Sequence, residues 1–376
     1  MRVLAAVAGL ALVAGGVVAL IRAGAEGSPA RPTSTIGRGV RICVVVGTPG
    51  PDGGEFRTPL NRGLWKAHRE LATTGSLVAT RGQAAFAAAV KRFATHGCDL
   101  TVATGVEAPG ATVAAARAHP SKHFAILGST AGSDLPNVTA VRFHPDQAAF
   151  LAGYLAAAVS RTGIVGAFGG TRVPEVTGIL DAFAAGVLKL NADRQLAIAL
   201  LGWNPERKTG LFAGSTSDPI GGRRVAERLV ANGADVVLGV AGEAIRGAAT
   251  VLHRVGNASA IGSGWDWAQS SPDPDLWLTG VQERSAVTLR LLIAREVRGE
   301  FRPGLVEATL RNGGVGLAEL RGPAGDISGN LKYDLKALAL GIEEGNVPID
   351  PSKYPPPPAP GATPSGPATA PGEDQP

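Results

Sequence analysis

Residues 100–127 read LTVATGVEAPGATVAAARAHPSKHFAIL, and this stretch decides the fold class. Apolar runs at 100–104 and 123–127 predict two short strands, and the alanine-rich segment at 108–118 between them predicts a helix. Both runs contain few polar residues, which is typical of parallel strands that are covered on both faces of a sheet. The stretch therefore indicates one strand–helix–strand unit of an α/β protein.

The same alternation continues in both directions between residues 40 and 348. It predicts an α/β protein with two doubly wound parallel-sheet lobes that are joined by a hinge. Ligands of such sheets bind beyond the carboxyl ends of the strands, so two facing lobes would form a cleft that closes on a ligand. The other predicted strands are 40–46, 76–80, 138–143, 164–168, 195–201, 236–240, 259–263 and 277–281, and the other predicted helices are 60–72, 83–96, 147–160, 174–189, 222–232, 244–255 and 285–299.

The two ends of the chain differ from this body. Residues 3–21 are an uninterrupted apolar run between Arg2 and Arg22, which as a helix at ~1.5 Å per residue just crosses a hydrocarbon core of ~30 Å. With the small residues at 23–25, the run indicates either a signal peptide that is cleaved before Glu26 or an uncleaved N-terminal membrane anchor. Either alternative places the body outside the cytoplasm. The predicted segments are therefore a signal peptide or anchor at 1–25, a linker at 26–38, lobe I at 39–142 and about 282–303, lobe II at 143–281 and about 304–349, and a disordered Pro-rich tail at 350–376.

Composition and motifs narrow the function. Hydrophobic residues make up 45% and charged residues 18% of the 376 residues, which excludes a disordered chain. The 36 basic residues, which give a net charge of +5, are scattered, so no nucleic-acid partner is expected. No GxSxG, GxxxxGK[ST] or GxGxxG motif follows a predicted strand. His119 and His123 are four residues apart, but Pro120 lies between them and a strand begins at His123, so a surface pair is expected rather than metal ligands. We therefore expect a binding protein without catalytic residues, metal or cofactor.

Cys43 and Cys98 are the only cysteines. Each lies near the amino-terminal end of one of two predicted neighbouring strands, so a disulfide is feasible outside the cytoplasm. Two buried thiols are the alternative. Both positions lie opposite the expected ligand site, so neither cysteine is expected to be catalytic.

Short motifs in a fixed order identify a family resemblance. The motifs are Phe56 followed by GL at 63–64, FAI at 124–126, PNV at 136–138, FLAGYLAA at 150–157, TGIVG at 162–166, GG at 169–170, Pro174, AGV at 185–187, DP at 218–219, GADVV at 233–237 and NGGVGLA at 312–318. In this order they resemble the basic membrane protein (BMP) family of ABC-importer substrate-binding proteins. The resemblance covers about residues 41–348. It implies a type I periplasmic-binding-protein fold, a small-molecule ligand for which the family precedent is a purine nucleoside, and an importer permease as partner.

The resemblance also implies pocket positions in the first loop. Phe56 stands where the family has an aromatic residue that stacks on the base. Arg57 and Thr58 replace the family's Asn and Gln, and the expected acid is Gly53, although Asp52 is adjacent. Phe56 as ordinary lobe packing is the alternative interpretation.

The second lobe matches the family pattern only in part. Asp266 keeps one of two family acids and Gly264 replaces the other, with Trp265 and Trp267 beside them. Glu283 stands at the position of a family Lys that holds ribose hydroxyls. The implied second-lobe contacts also include Gly242, which the family shares, and Glu243, which replaces a family Gly. The family has a second aromatic residue where this chain has Thr216, and Trp203 or Phe212 could take its place.

These substitutions change the predicted chemistry. Aromatic walls suit a flat ligand, and a carboxylate at Glu283 accepts but cannot donate a hydrogen bond. Together with Glu243 and Asp266 it would favour a cationic or amine-bearing ligand, whereas Arg57 could pair with Glu283 or hold a ligand carboxylate. The tryptophans as sheet cover and the charges as solvated rim residues are the alternatives. Three functions remain: delivery of a solute to an ABC importer, a surface ligand-sensing module, and an enzyme.

Overall fold

Two six-stranded sheets, each covered by helices on both faces, form the body of the protein. The structure is a computed structural model that describes residues 35–49, 57–321 and 327–355. In chain order its elements are β1 (Arg41–Val46), α1 (Arg57–Leu71), β2 (Thr74–Ala79), α2 (Gln83–Thr95), β3 (Leu100–Thr104), α3 (Ala108–Ala118), β4 (His123–Leu127), β5 (Val138–Phe143), α4 (Pro145–Val159), β6 (Ile164–Gly169), α5 (Pro174–Arg194), β7 (Ala199–Leu201), β8 (Trp203–Asn204), β9 (Thr209–Gly210), α6 (Pro219–Ala231), β10 (Val236–Val240), α7 (Ala244–Val255), β11 (Ser259–Gly264), β12 (Trp277–Glu283), α8 (Ser285–Val297), β13 (Gly304–Ala308), β14 (Val315–Leu317) and α9 (Gly329–Glu343), with 3₁₀ turns at Trp267–Ser270, Pro274–Leu276 and Pro351–Lys353.

The first lobe is a parallel sheet with the strand order β13-β5-β4-β3-β1-β2. Side chains of β1 alternate between its two faces, as the period of a strand requires. Ile42 and Val44 pack with α1 and α8, whereas Cys43 and Val45 pack with α2 and α3. Burial on both faces explains why these strands contain so few polar residues.

The second lobe has the strand order β14-β12-β11-β10-β6-β7, in which only β14 is antiparallel to its neighbour. Helices α4, α5 and α9 cover one face of this sheet, and α6 and α7 cover the other. The predicted α/β architecture with two parallel-sheet lobes is therefore confirmed.

Helices α4 and α5 approach each other through two glycines. A Cβ atom on Gly153 would collide with the carbonyl oxygen of Phe183, and one on Gly186 would collide with the carbonyl oxygen of Phe150. Each helix therefore places a glycine against the backbone of the other helix. These glycines lie in the motifs at 150–157 and 185–187, so their presence in the sequence has a packing cause.

Three crossovers connect the lobes within the described residues. They are His144 between β5 and α4, Arg284 between β12 and α8, and residues 309–314 between β13 and β14. The backbone amide of His144 donates to the carbonyl oxygen of Ala308 (3.0 Å), and that of Arg284 donates to the carbonyl oxygen of Gly314 (2.8 Å). The first two crossovers are thus bonded to the third or to the residue that precedes it, so the three lie together as one hinge region.

Two boundaries differ from the predicted ones. Segment 304–349 was assigned to lobe II, but β13 pairs with β5 and so belongs to the first sheet. The strand predicted at 195–201 is reduced to β7, because α5 continues to Arg194 and the chain then turns at Gln195, whose φ is 53°. The side chain of Asn191 holds this turn by bonding both the amide (2.9 Å) and the carbonyl (3.0 Å) of Ile198.

Parts of the predicted linker and tail are ordered. At the end of the linker, the amide of Gly37 donates to the carbonyl oxygen of Leu71 (2.8 Å). At the start of the tail, Asp350 caps the turn Pro351–Lys353 through the amide of Ser352 (2.9 Å), and Tyr354 packs against the second-lobe core. The predictions for residues 1–34 and 356–376 lie outside the described residues.

Cys43 and Cys98 form a disulfide with a Cα–Cα distance of 6.0 Å, so of the two alternatives the bonded one is confirmed. The bond joins β1 to the turn that precedes β3, away from the carboxyl ends of the strands. None of the helices in the described ranges has the length and hydropathy that crossing a bilayer requires.

Candidate ligand-binding cleft

A cavity of about 860 Å³ opens where the carboxyl ends of the first-lobe strands face the second lobe. Its volume falls within the ~300–1,000 Å³ that is usual for small-molecule sites. The first lobe contributes strand ends of β3, β4 and β5, and the second lobe contributes the first half of α5, Lys208, Glu283 and the C-terminal segment around Asp350. The first-lobe lining residues are 104–106, 109, 127–130, 142 and 143, and the second-lobe residues are 145, 146, 174, 175, 178, 179, 181, 182, 208, 283 and 349–351.

Glu107 organises the loops beside this cavity. Its carboxylate is buried and accepts hydrogen bonds from the amide of Thr48 (2.8 Å), the hydroxyl of Thr48 (2.7 Å) and the amide of Gly82 (3.2 Å). It therefore ties together the segments that follow β1, β2 and β3. Gly105 has a φ of 108°, and a Cβ atom there would lie 2.8 Å from the Thr48 oxygen, so only glycine allows these loops to approach so closely.

The same contacts set the charge state of Glu107. Burial by itself would raise the pKa of this carboxyl, but the hydrogen bonds from Thr48 and Gly82 outweigh burial and lower the pKa below its usual value. Three donors converge on the ionised form, which is therefore the form that the fold stabilises.

The described residues that line the cavity carry a negative charge excess. The two cations among them are each bound by a carboxylate: Arg142 by Glu307 (3.3 Å) and Lys208 by Asp181 (2.6 Å). Five carboxylates among the same residues stand against those two cations, which is a formal excess of three negative charges. The carboxylates belong to Asp146, Glu175, Asp181, Glu283 and Asp350.

Of the predicted site residues, Glu283 lines this cavity and the other described ones do not. Glu283 is half-buried at the end of β12, directly before the Arg284 crossover. Arg57 is exposed as the first residue of α1. Asp52 and Phe56 lie outside the described residues.

Trp267 belongs to the second-lobe core rather than to a ligand wall. It is 2% exposed, its indole N–H donates to the carbonyl oxygen of Ser263 (2.9 Å), and its ring stacks on Trp277 at a centroid distance of 6.0 Å. Trp265 meets Trp267 edge-on at 5.8 Å and stays half-buried. The prediction that Trp267 lines the pocket is therefore corrected to the alternative, in which it covers the sheet.

Asp266 is buried and bound by protein groups. Arg321 donates from both terminal nitrogens to its two oxygens, at 3.0 and 3.2 Å, and Gln269 donates to Oδ2 at 3.2 Å. This bidentate pairing and the nearby Glu319 raise the pKa of Arg321, although burial alone would lower it. Asp266 therefore holds the loop after β11 against the segment after β14.

The remaining predicted residues have structural partners as well. Glu243 pairs with Arg246 (2.5 Å), whose guanidinium lies 5.1 Å from the ring centroid of Trp267. Gly242 precedes it with a φ of 53°, at the turn into α7. Trp203 is 3% exposed and its indole N–H donates to Asp181 (3.0 Å), so it supports a cavity residue from behind.

Sequence reasoning missed most charged residues of the cavity lining, and Glu107, Asp181 and Arg321 illustrate why. Glu107 carried a usable signal, because it is a carboxylate directly after a buried strand, where parallel sheets place their sites. Asp181 and Arg321 carried none, because their partners Lys208 and Asp266 are brought to them only by the tertiary fold.

The sequence profile of the family "ABC transporter substrate-binding protein PnrA-like" matches residues 52–323. The chain belongs to this family. Its members are substrate-binding proteins rather than enzymes, and this agrees with the BMP resemblance. Two relatives of this PnrA-like chain are the ABC transporter nucleoside-binding protein BmpA of Lactococcus lactis, 27% identical over 59% of this chain and 64% of the relative, and Basic membrane protein B of Borreliella burgdorferi, 27% identical over 59% and 63%. The chain thus matches less than two thirds of the length of these relatives.

Solved structures agree on the fold of the PnrA-like chain. An ABC transporter solute-binding protein of Aeropyrum pernix superposes with a TM-score of 0.64 at 21% identity, covering 84% of this chain and 95% of that one. Another from Conexibacter woesei superposes with a TM-score of 0.66 at 18% identity, covering 82% and 98%. At these identities the likeness shows the shared two-lobe fold alone.

Proposed function

We propose that this protein is an extracytoplasmic solute-binding protein that closes its two lobes on a small ligand and delivers the ligand to an ABC importer permease. The observation that carries the proposal is the cavity between the lobes, at the carboxyl ends of the strands, beside a hinge of three crossovers. Family membership supports it, because the family consists of substrate-binding proteins. Binding needs no cofactor, since closure alone sequesters the ligand.

The disulfide supports the location. Cys43 and Cys98 are 0% and 1% exposed and bonded, and such bonds persist in oxidising compartments rather than in the cytosol. We propose that the apolar run at 3–21 brings the chain to the membrane, as a cleaved signal or as an anchor. An anchor would keep the protein near its permease.

We propose a purine nucleoside as the ligand. The Lactococcus relative is named a nucleoside-binding protein, and this supports the class. The chemistry of the cavity is compatible, because carboxylates such as Glu175 and Glu283 accept hydrogen bonds from ribose hydroxyls and exocyclic amino groups.

Native mass spectrometry of the purified protein, followed by calorimetric titration with inosine and adenosine, tests this proposal. We expect a bound mass that dissociates on denaturation and saturable binding of at least one nucleoside with 1:1 stoichiometry. No binding of any nucleoside, with a different co-purifying solute, would overturn the ligand class. Turnover of the bound solute would overturn the binding-protein function itself.

A further inference from the structure

A side-chain hydrogen bond joins the two lobes outside the hinge. Arg62 of α1 in the first lobe donates from Nη1 to Oε1 of Gln269 (3.1 Å), in the 3₁₀ turn after β11 in the second lobe. The two residues are 207 positions apart, and both side chains are exposed. Helix α1 and this turn each follow the carboxyl end of a strand, so the bond forms where the lobes face each other.

The orientation of Gln269 is fixed from within the second lobe. Its amide nitrogen donates to Oδ2 of Asp266 (3.2 Å), and the amide oxygen is thereby left to face Arg62. Asp266 is itself only 5% exposed and is held at both oxygens by Arg321. The backbone amide of Arg321 donates to the carbonyl oxygen of Leu278 (2.7 Å), which ties this arginine to β12.

These contacts form one chain of side chains, from the sheet of the second lobe to a helix of the first. Rotation about the crossovers at His144, Arg284 and 309–314 moves one lobe relative to the other. Neither Arg62 nor Gln269 lies in a crossover, so such a rotation changes the distance between them. A bond that exists in only one of two states contributes its whole free energy to that state.

We propose that Arg62, Gln269 and Asp266 form a latch that holds the lobes closed, in which Asp266 is a positioning residue for Gln269 rather than a ligand contact. Asp266 orients the amide, the amide accepts from Arg62, and the lobes stay together. The latch acts with or without a bound ligand. Only its effect on nucleoside affinity rests on the proposed function.

Single-molecule fluorescence transfer between labels on Lys91→Cys and Arg254→Cys measures closure in the ligand-free protein. Both label sites are exposed, on α2 of the first lobe and α7 of the second, and the native cysteines are buried in their disulfide. We expect Arg62→Ala and Gln269→Met each to lower the closed-to-open ratio by about three- to tenfold, as is usual for one exposed, charge-assisted bond. Both substitutions are at exposed positions, so folding is retained.

Arg117→Ala is the matched control, because Arg117 is an exposed first-lobe arginine at the end of α3, away from the contact between Arg62 and Gln269. It should leave the distribution unchanged. If Arg62→Ala and Gln269→Met also leave it unchanged, the latch does not exist.

A double-mutant cycle tests the positioning role of Asp266. In an Asp266→Ala background that still melts cooperatively, Arg62→Ala should have no further effect, because the amide of Gln269 has lost the acceptor that orients it. A full Arg62→Ala effect in that background would remove Asp266 from the latch. Should Asp266→Ala fail to fold, Gln269→Met gives the same cycle with Arg62→Ala, and additive effects of these two would overturn the pairing.

Inosine titration of the same variants separates this inference from the proposed function. Weaker inosine binding by Arg62→Ala, through faster dissociation, is expected if both hold. An unchanged closed-to-open ratio in the labelled Arg62→Ala and Gln269→Met variants overturns the latch, whether or not inosine binds. If the variants lose closure but the parent protein does not bind inosine, the proposed nucleoside ligand is overturned and the latch is supported.

Discussion

Glu107 illustrates how one buried carboxylate organises the carboxyl edge of the first sheet. Three hydrogen bonds reach it from Thr48 and Gly82, so a single side chain fixes segments that follow three neighbouring strands. Because this acceptor is a carboxylate, its contribution to the stability of the fold depends on pH. Its pKa is lower in the folded protein than its usual value of 4.5.

We expect Glu107→Gln to destabilise the protein at pH 7 by about 1–3 kcal/mol, because one donor then loses its acceptor. The lowered pKa fixes the sign of the pH dependence: the contribution of Glu107 is fully present above the unfolded-state pKa and is lost as the pH falls through the folded-state value. The difference between the two proteins should therefore shrink below a pH of about 4.5. Urea unfolding at a series of pH values measures it.

Glu206→Gln is the control, since Glu206 is exposed in the turn between β8 and β9. Its effect should stay within about 0.5 kcal/mol. A Glu107→Gln difference that grows on acidification would contradict the assigned role.

At the same scale, Asp266 and Trp267 show what the sequence could not predict. Their position after β11 places both at the carboxyl edge of the sheet. Their partners could not be inferred, because Arg321 lies 55 residues away from Asp266 and Trp277 belongs to a neighbouring strand. The sequence shows the type of each residue and its position after a strand. The direction of each side chain depends on tertiary packing, which the sequence does not show.

Among the elements, the pair α4 and α5 depends most visibly on small residues. We expect Gly186→Ala to destabilise the protein by about 1–3 kcal/mol, because the new methyl group meets the carbonyl oxygen of Phe150. Gly153→Ala should do the same against Phe183. Thermal unfolding with calorimetric analysis measures both.

Gly178→Ala is the matched control, because Gly178 lies in the same helix α5 and a Cβ atom there meets nothing within 4 Å. It should be neutral or stabilise by up to ~1 kcal/mol, since alanine is the better helix former. Equal destabilisation by all three substitutions would mean that the close approach of the helices does not matter.

Element prediction succeeded where a buried strand gives a short apolar run, and it failed for α9, β13 and β14. Helix α9 did carry a signal: Ser328 caps it by accepting from the amide of Leu331 (3.2 Å), and apolar residues follow at helical spacing. Strand β13 carried little, because it is a half-exposed edge strand that contains Glu307. Its place in the first sheet depends on pairing with β5, which only the folded chain decides.

At the scale of the whole molecule, the described residues that line the cavity between the lobes carry a formal excess of three negative charges. We expect inosine to bind at least about tenfold more tightly than inosine monophosphate, because a phosphate group would enter a region of like charge. The discrimination should shrink as salt is raised, since screening weakens such repulsion. Calorimetric titration at low and high ionic strength measures both effects.

Glu175→Gln is the informative variant, because Glu175 lies in the first turn of α5 at the cavity wall. It should reduce the preference for the uncharged nucleoside, whereas Glu206→Gln, away from the lining, should not. Equal affinities for the nucleoside and its monophosphate at low salt would show that these carboxylates do not face the ligand.

The interleaving of the lobes has a consequence for biosynthesis. The first lobe begins at Arg41, yet its core includes Leu289 and Ile293 of α8, and its outer strand ends at Ala308. On the ribosome, one face of that sheet stays bare until nearly the whole chain has emerged. The second lobe waits even longer, for Leu331 and Leu335 of α9. Neither lobe can complete its hydrophobic core early in synthesis, so the nascent chain stays unfolded for longer. An unfolded chain is the form that a protein translocation channel accepts.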